Sequence, residues 1–303
     1  VLGTRGSALA LAQSNHMRRR LLEHPDVDEV ELRVIKTRGD KILDVALSRV
    51  GGKGLFVKEL EEALLDGSVD LAVHSLKDMP SELPDGLALA AVPEREDPRD
   101  AWVCPAGAEP VTLAGLPAGA TVGTSSLRRQ AQLLAVRPDL HVVPLRGNVD
   151  TRLRKLDEGV DGMAAIVLAC AGLVRLGHAD RVTAAFEADA MLPAVGQGAL
   201  CIEGRADDPV VGPILAWLDS AETRTVVAAE RALLKHLEGG CSVPIGGFAT
   251  LEGDRLTLEG LIARTDGTRI IRERLEGPAS DPEALGVAVA ERLIAAGGRA
   301  VLD

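Results

Sequence analysis

The stretch that decides the fold is Thr121-Val122-Gly123-Thr124-Ser125-Ser126-Leu127-Arg128-Arg129, continued by His141–Leu145, Arg146-Gly147-Asn148 and Val149–Lys155. Thr121–Gly123 reads as a short strand, Leu127–Val136 as a helix, His141–Leu145 as a strand, Val149–Glu158 as a helix and Ala164–Ala169 as a third strand. Strands alternating with helices across short connections predict parallel α/β layers. Between Thr121 and Lys155 lie seven basic residues (Arg128, Arg129, Arg137, Arg146, Arg152, Arg154, Lys155) and two acidic ones (Asp139, Asp150), a net of +5. Thr124, Ser125 and Ser126 stand just before the helix that carries Arg128 and Arg129, and Arg146-Gly147-Asn148 just before the helix that carries Arg152. Hydroxyls, open backbone N–H groups and a positive helix end make such turns anion sites, and arginine grips carboxylate or phosphate in bidentate fashion. Any one of these arginines reads equally well as part of a solvated helix face. Two clusters at strand-to-helix turns, the edge where open α/β sheets bind ligands, favour an anionic ligand.

The same alternation extends toward the N-terminus. Ser7–Leu22 has helical spacing and a basic end at Arg18-Arg19-Arg20; Glu31–Lys36 is a strand, Val57–Leu65 a helix, and Leu71–His74, Leu87–Val92 and Ala101–Cys104 are strands. Pro93–Asp100, with its prolines and mixed charges, reads as an exposed connection and hinge, and Pro193–Gly198 as a second break that returns the chain to the first block. The expected class is α/β, two lobes with a hinge and a cleft between them. Beyond them, Glu222–Leu237 reads as a helix, with Asp219 and Glu222 spaced as a capping box and Gly239-Gly240 as its stop. Strands near Gly247–Thr250, Leu256–Ala263 and Arg269–Arg274 precede a helix from Pro282, which predicts a small C-terminal α+β domain. The boundaries expected are 1–94 with 194–216, then 95–193, then 217–303.

Composition narrows the function. The 303 residues carry 34 Lys+Arg against 45 Asp+Glu, a formal charge of -11, which argues against a general nucleic-acid binder. Aromatic residues are 2% with no Tyr, so base-stacking platforms are not expected. The scattered cysteines (Cys104, Cys170, Cys201, Cys241) show no Cys-x-x-Cys pairing, and a reduced cytoplasmic chain is expected. The histidines have no metal-like spacing, and no metal is expected. No apolar run reaches the ~18 residues of a membrane span. The chain opens at Val1 rather than Met, so a trimmed start is expected.

Three further constellations bear on chemistry. His74-Ser75-Leu76-Lys77-Asp78 follows an apolar strand; its carboxylate and ammonium read either as a surface ion pair or as an acid held among anionic ligands for acid/base or cation-stabilising work. Gly51-Gly52-Lys53-Gly54 lacks the ending of a phosphate-binding loop and reads as a flexible basic lid. Cys241, between Gly239-Gly240 and Pro244, reads as an exposed sulfur able to act as nucleophile, redox sensor or attachment point, whereas Cys170 and Cys201 read as buried apolar strand residues. No histidine is placed as a base for Cys241, which weighs against a cysteine hydrolase. A non-catalytic two-lobed binder of an organic anion is the other alternative.

Taken in order, nine segments resemble the porphobilinogen deaminase (hydroxymethylbilane synthase) family over nearly the whole chain. They are Gly3-Thr4-Arg5-Gly6-Ser7, Thr37-Arg38-Gly39-Asp40, Gly51–Phe56, His74–Pro80, Arg95–Asp100, Gly123–Arg129, Leu145–Asn148, Pro193–Gly198, and Glu230-Arg231 leading to Gly239–Pro244.

That resemblance implies two lobes like those of periplasmic binding proteins plus an α+β domain. It implies an enzyme that condenses four porphobilinogen molecules head to tail into hydroxymethylbilane, releases ammonia at each step, and serves haem biosynthesis as a monomer. It also implies a dipyrromethane cofactor joined by a thioether to Cys241. Arg5, Ser7, Lys53, Ser75, Lys77, Thr124, Ser125, Ser126, Arg128, Arg129, Arg146, Asn148, Arg152, Arg175 and Gln197 match cofactor- or substrate-binding positions, and Asp78 matches the catalytic acid. Each pyrrole brings an acetate and a propionate, which gives the arginine-rich turns their reason. Loss of ammonia leaves a cation that one carboxylate stabilises. Arg49 stands where relatives often carry lysine, and Cys201 where they carry a small residue.

Overall fold

The computed structural model describes residues 1–37, 39, 57–237 and 243–302. Cys241, Lys53 with its glycines, Arg38, Asp40 and Arg49 lie outside the described residues. In chain order the strands and α-helices are β1 (Leu2–Thr4), α1 (Ala8–Leu21), β2 (Leu32–Val34), α2 (Lys58–Leu65), β3 (Leu71–Ser75), β4 (Leu87–Ala91), β5 (Asp100–Val103), β6 (Thr121–Gly123), α3 (Leu127–Val136), β7 (His141–Val143), α4 (Val149–Asp157), β8 (Met163–Ala169), α5 (Cys170–Arg175), β9 (Ala184–Ala185), β10 (Leu200–Arg205), α6 (Val211–Leu218), α7 (Ala221–His236), β11 (Ile245–Glu252), β12 (Arg255–Ala263), β13 (Ile270–Pro278), α8 (Pro282–Ala295) and α9 (Arg299–Leu302). Cα proximity groups them into two units, Val1–Glu96 with Ala199–Thr225, and Asp97–Gly198 with Val226–Asp303.

In the first unit the strand order is β2-β1-β3-β10-β4. β1 runs parallel to β2 and β3, and β10 runs antiparallel to β3 and β4. Alternate residues of β3 serve opposite faces: Leu71 and Val73 join Met17 and Leu21 of α1, while Ala72 joins Leu60 and Leu64 of α2. α1 begins where the chain leaves extended geometry at Ser7, whose hydroxyl accepts from Ala10 N–H, and it buries Ala10, Gln13, Ser14, Met17 and Leu21 at three-to-four spacing.

The second unit repeats the order. Its sheet is β7-β6-β8-β5-β9, with β6 parallel to β7 and β8, and β5 antiparallel to β8 and β9. In both sheets the central parallel triplet therefore lies second-first-third in chain order. The fourth strand comes from a crossing segment: β10 in the first sheet, β5 in the second. β8 is buried on both sides, Ile166 and Leu168 in one cluster and Ala165 and Val167 in another. A third, antiparallel sheet, β11-β12-β13, belongs to the same unit. Its outer strand reaches α3 through Arg272, whose Nη2 donates to Gln132 Oε1 at 2.9 Å. Gly286 of α8 lies so near α7 that a Cβ there would stand 2.3 Å from the carbonyl oxygen of Ala229.

Three local expectations are corrected. Ser220, not Asp219, caps α7: its hydroxyl accepts from Thr223 N–H, while Asp219 accepts from Val92 N–H and from Arg224. Cys170 opens helix α5 rather than lying in a strand, because β8 ends at Ala169. The Pro93–Asp100 connection is mostly half-buried, and Asp100 itself is fully buried as the first residue of β5. Cys201 is buried core, as read.

Candidate active site

In the first unit, the carboxyl ends of the parallel strands β1 and β3 lie on one edge of the sheet. That edge delivers Arg5 and Ser7 from the turn after β1, Ser75 from the end of β3 and Asp78 from the 3-10 turn that follows it, to one pocket. Gln13, His74 and Val73 also line it. Gln13 Nε2 donates to Ser75 Oγ at 2.9 Å, tying α1 to the end of β3. Asp78 is exposed and its carboxylate has no hydrogen bond or ion pair with a described residue; Lys77, its neighbour in the turn, is half-buried. A carboxylate with its lone pairs open, set beside one arginine, suits a cation formed in a reaction.

The second unit builds a cationic edge in the same way. β6, β7 and β8 are parallel, so their carboxyl ends bring the Thr124–Ser126 turn, the Arg146–Asn148 turn and α5 to one side. Ser126 caps α3 by accepting from Arg129 N–H, and Asn148 caps α4 by accepting from Thr151 N–H at 2.8 Å. Their side-chain N–H or O–H donors stay available beyond the cap. Ser125 Oγ donates to Leu145 O at 2.7 Å, which ties the two turns together. Gly147 sits at φ +113°, a conformation that lets the chain fold back between Arg146 and Asn148. Arg146, Arg152 and Arg175 are half-buried along this edge; Arg152 Nε donates to Gly147 O, and Arg175 Nη2 to Gly198 O at 2.6 Å.

Arg128 and Arg129 behave differently. Both are buried, and both close on Asp100: Arg128 Nη1 stands 2.7 Å from Oδ2, and Arg129 Nε donates to Oδ1 at 2.8 Å. Gln197 Nε2 donates to the same Oδ1 at 2.9 Å. Burial opposes ionisation of Asp100, but the two guanidiniums outweigh it and hold the carboxyl well below the usual range. The Gln197 turn is itself anchored by buried Glu230, which accepts from Gly196 N–H at 2.7 Å and from Ala249 N–H at 2.9 Å. Beside this cluster, burial pushes the Cys170 thiol up to about 12, so it is inert.

Gln13, His74, Asp100 and Glu230 are the functional-site neighbours that the sequence reading did not single out for a role. Asp100, His74 and Glu230 lie within the quoted segments, but only folding shows what they face.

Residues 1–212 match the family profile described as "Porphobilinogen deaminase, dipyromethane cofactor binding domain", and residues 224–295 match "Porphobilinogen deaminase, C-terminal domain". The chain belongs to the porphobilinogen deaminase family. Curated relatives agree. The porphobilinogen deaminase of Geobacter sulfurreducens is 54% identical over 301 residues, 99% of this chain and 93% of that protein. That of Trichlorobacter lovleyi is 54% identical over 303 residues, 100% and 95%. Among solved structures, the alkanesulfonate-binding protein SsuA from Xanthomonas axonopodis pv. citri aligns with a TM-score of 0.37 at 15% identity, covering 77% of this chain and 73% of that one. The donor set of both edges, arginines with serine, threonine and amide groups at strand-to-helix turns, fits the carboxylated pyrroles on which porphobilinogen deaminases are built. Among the described residues, no helix is long and apolar enough to cross a membrane.

Proposed function

We propose that this chain is a transferase that joins four porphobilinogen molecules head to tail into hydroxymethylbilane and releases ammonia at each joining. Its division into 1–94 with 194–216, 95–193 and 217–303 is supported by two sheets of the same strand order and a separate antiparallel sheet. The observation that carries the reading is the gathering of Arg5, Ser7, Ser75 and Asp78 in one pocket of a chain that belongs to this family.

When bound, the dipyrromethane supplies the pyrrole end to which porphobilinogen is joined, and Cys241 is the residue that would hold it by a thioether. Arg5, Arg146, Arg152 and Arg175, with Ser7, Lys77, Asn148 and the Thr124–Ser126 hydroxyls, bind acetate and propionate groups. Arg128 and Arg129 join them by exchanging part of their contact with Asp100 for a ligand carboxylate, and Gln197 follows that exchange. Lys53 supplies a basic loop. Asp78 stabilises the positive charge that appears on the substrate carbon as its C–N bond breaks, and Ser75 orients the turn that carries it. The chain acts as a cytoplasmic monomer with porphobilinogen as its small-molecule partner.

Mass spectrometry of the denatured protein tests this. A dipyrromethane-sized excess and a colour with Ehrlich's reagent are expected, both abolished in Cys241→Ser. Unmodified protein with full turnover overturns the reading.

A further inference from the structure

Behind the pocket that holds Asp78 lies a buried acid–base cluster that the binding residues above leave unused. His74 of β3 and Glu203 of β10 both lie in the sheet interior, with Nε2 3.0 Å from Oε2 and side-chain exposures of 4% and 0%. Neither Glu203 oxygen accepts a hydrogen bond. Register explains the meeting: Cys201 pairs with His74 and Glu203 with Ala72, so His74 and Glu203 emerge on the same face, two rows apart. Glu61 of α2 packs over that face, and burial, then the charges of Glu203 and Glu62, raise its carboxyl to about 7 against the pull of Lys58. A buried carboxylate with no donor is tolerated only if a neighbouring cation compensates it. Here that group is His74, whose Nε2 faces Glu203 and whose ring gains its positive charge only when Nδ1 takes up a proton. Yet His74 also lines the pocket that contains Asp78 and Arg5. Its Nε2 faces Glu203, which leaves Nδ1 for the pocket.

We propose that His74, held by Glu203, is a second proton-transfer residue of the Asp78 pocket: its Nδ1 takes the proton that the acceptor pyrrole carbon loses when the new carbon–carbon bond forms. The inference rests on the reaction proposed above. In each cycle the substrate's C–N bond breaks and its electron pair leaves with ammonia. The acceptor pyrrole carbon supplies the pair for the new C–C bond. Its C–H bond then breaks, that pair returns to the ring, and the proton goes to His74. The imidazolium, neutralised by Glu203, releases the proton to the departing ammonia, which leaves as ammonium. Atoms and charge balance without a further reagent. The division of labour has a physical reason: Asp78 must stay ionised to stabilise the cation, so a separate acceptor keeps it anionic throughout the cycle. Of the titratable or charged groups around His74, Glu203 lies 3.0 Å away on β10, Cys201 is its cross-strand partner, Glu61 of α2 is coupled to Glu203, and Arg5 and Asp78 line the same pocket.

The test compares cofactor-loaded wild type with His74→Gln and Glu203→Gln, and adds NMR spectra of histidine-labelled wild-type protein with and without porphobilinogen. His74→Gln is expected to keep the dipyrromethane mass while kcat falls ~10²–10⁴-fold, the range of general acid–base contributions. Glu203→Gln is expected to lose less and to move the pH profile of kcat. In wild type, the His74 resonance is expected to shift when porphobilinogen is added. His74→Gln with kcat within about twofold and an unchanged pH profile overturns the inference. So does a His74 resonance that does not respond to porphobilinogen, a readout that stands even if the variant does not fold. Wild type with neither pyrrole mass nor turnover overturns the proposed reaction together with this inference; active wild type beside an unaffected His74→Gln overturns this inference alone.

Discussion

Oδ1 of Asp100 lies 2.7 Å from Nη2 of Arg129, with both side chains buried. Arg128 closes on the other oxygen, so one carboxylate neutralises part of two adjacent buried cations. Asp100 compensates the two buried guanidiniums only while its carboxylate is ionised.

Asp100→Asn removes the anion and leaves two desolvated guanidiniums facing a neutral amide. Breaking a buried pair in this way costs roughly 3–5 kcal/mol, and urea unfolding at pH 7 should show a loss of that size. The folded-state pKa of Asp100 is depressed, so its contribution is fully present above the unfolded value near pH 4. It disappears only as pH falls through the lower folded value. Wild type and Asp100→Asn should therefore converge in stability only in strong acid.

Glu61 has the opposite sign. Its folded pKa is raised to about 7, so folding favours the protonated form, and that stability is present below the unfolded value and lost as pH rises through about 7. Glu61→Gln removes the penalty. The variant is expected to be more stable than wild type by on the order of 1 kcal/mol at pH 8 and equal to it below about pH 4.5, measured by denaturant unfolding at both pH values.

Asp78 is exposed and forms no hydrogen bond or ion pair with the described residues, so its amide variant should fold normally. Asp78→Asn is expected to retain the dipyrromethane mass and to lose kcat by at least ~10²–10³-fold, the scale of a lost electrostatic stabiliser. Product formation by stopped assay checks it, with thermal unfolding as the control for structure.

Gly286 lies inside α8, where alanine would ordinarily gain ~1 kcal/mol of helix propensity. Here the added Cβ would meet Ala229 O at 2.3 Å and Ala232 Cβ at 2.6 Å. Overpacking against backbone should reverse the sign, and Gly286→Ala is expected to destabilise by ~1–3 kcal/mol in thermal or urea unfolding.

Much of this was legible before folding. Leu127–Val136 spans the helix that apolar spacing outlines, because Ser126 caps it and Arg137 leaves helical geometry. The helix Val211–Leu218 escaped, since Gly212 and Pro213 mask its pattern and its apolar residues surround the axis. β10 was legible only at Cys201, which reads as an apolar strand residue, and not in its extent to Arg205, because Glu203-Gly204-Arg205 breaks the apolar run. At α7 the spacing of Asp219 and Glu222 suggested a cap, but Asp219 is drawn to Val92 and Arg224, contacts remote in sequence or set by packing.

The chain's own order of residues determined the class of fold and set arginines and hydroxyls at strand-to-helix turns, because strand period, turn composition and charge are local properties. Tertiary structure alone decided which of the cations are buried and paired, that Asp100 joins Arg128 to Arg129, and that His74 meets Glu203. Those facts depend on strand register and on a crossing strand from about 130 residues away, and free energies of buried charge depend on neighbours that spacing along the chain does not specify.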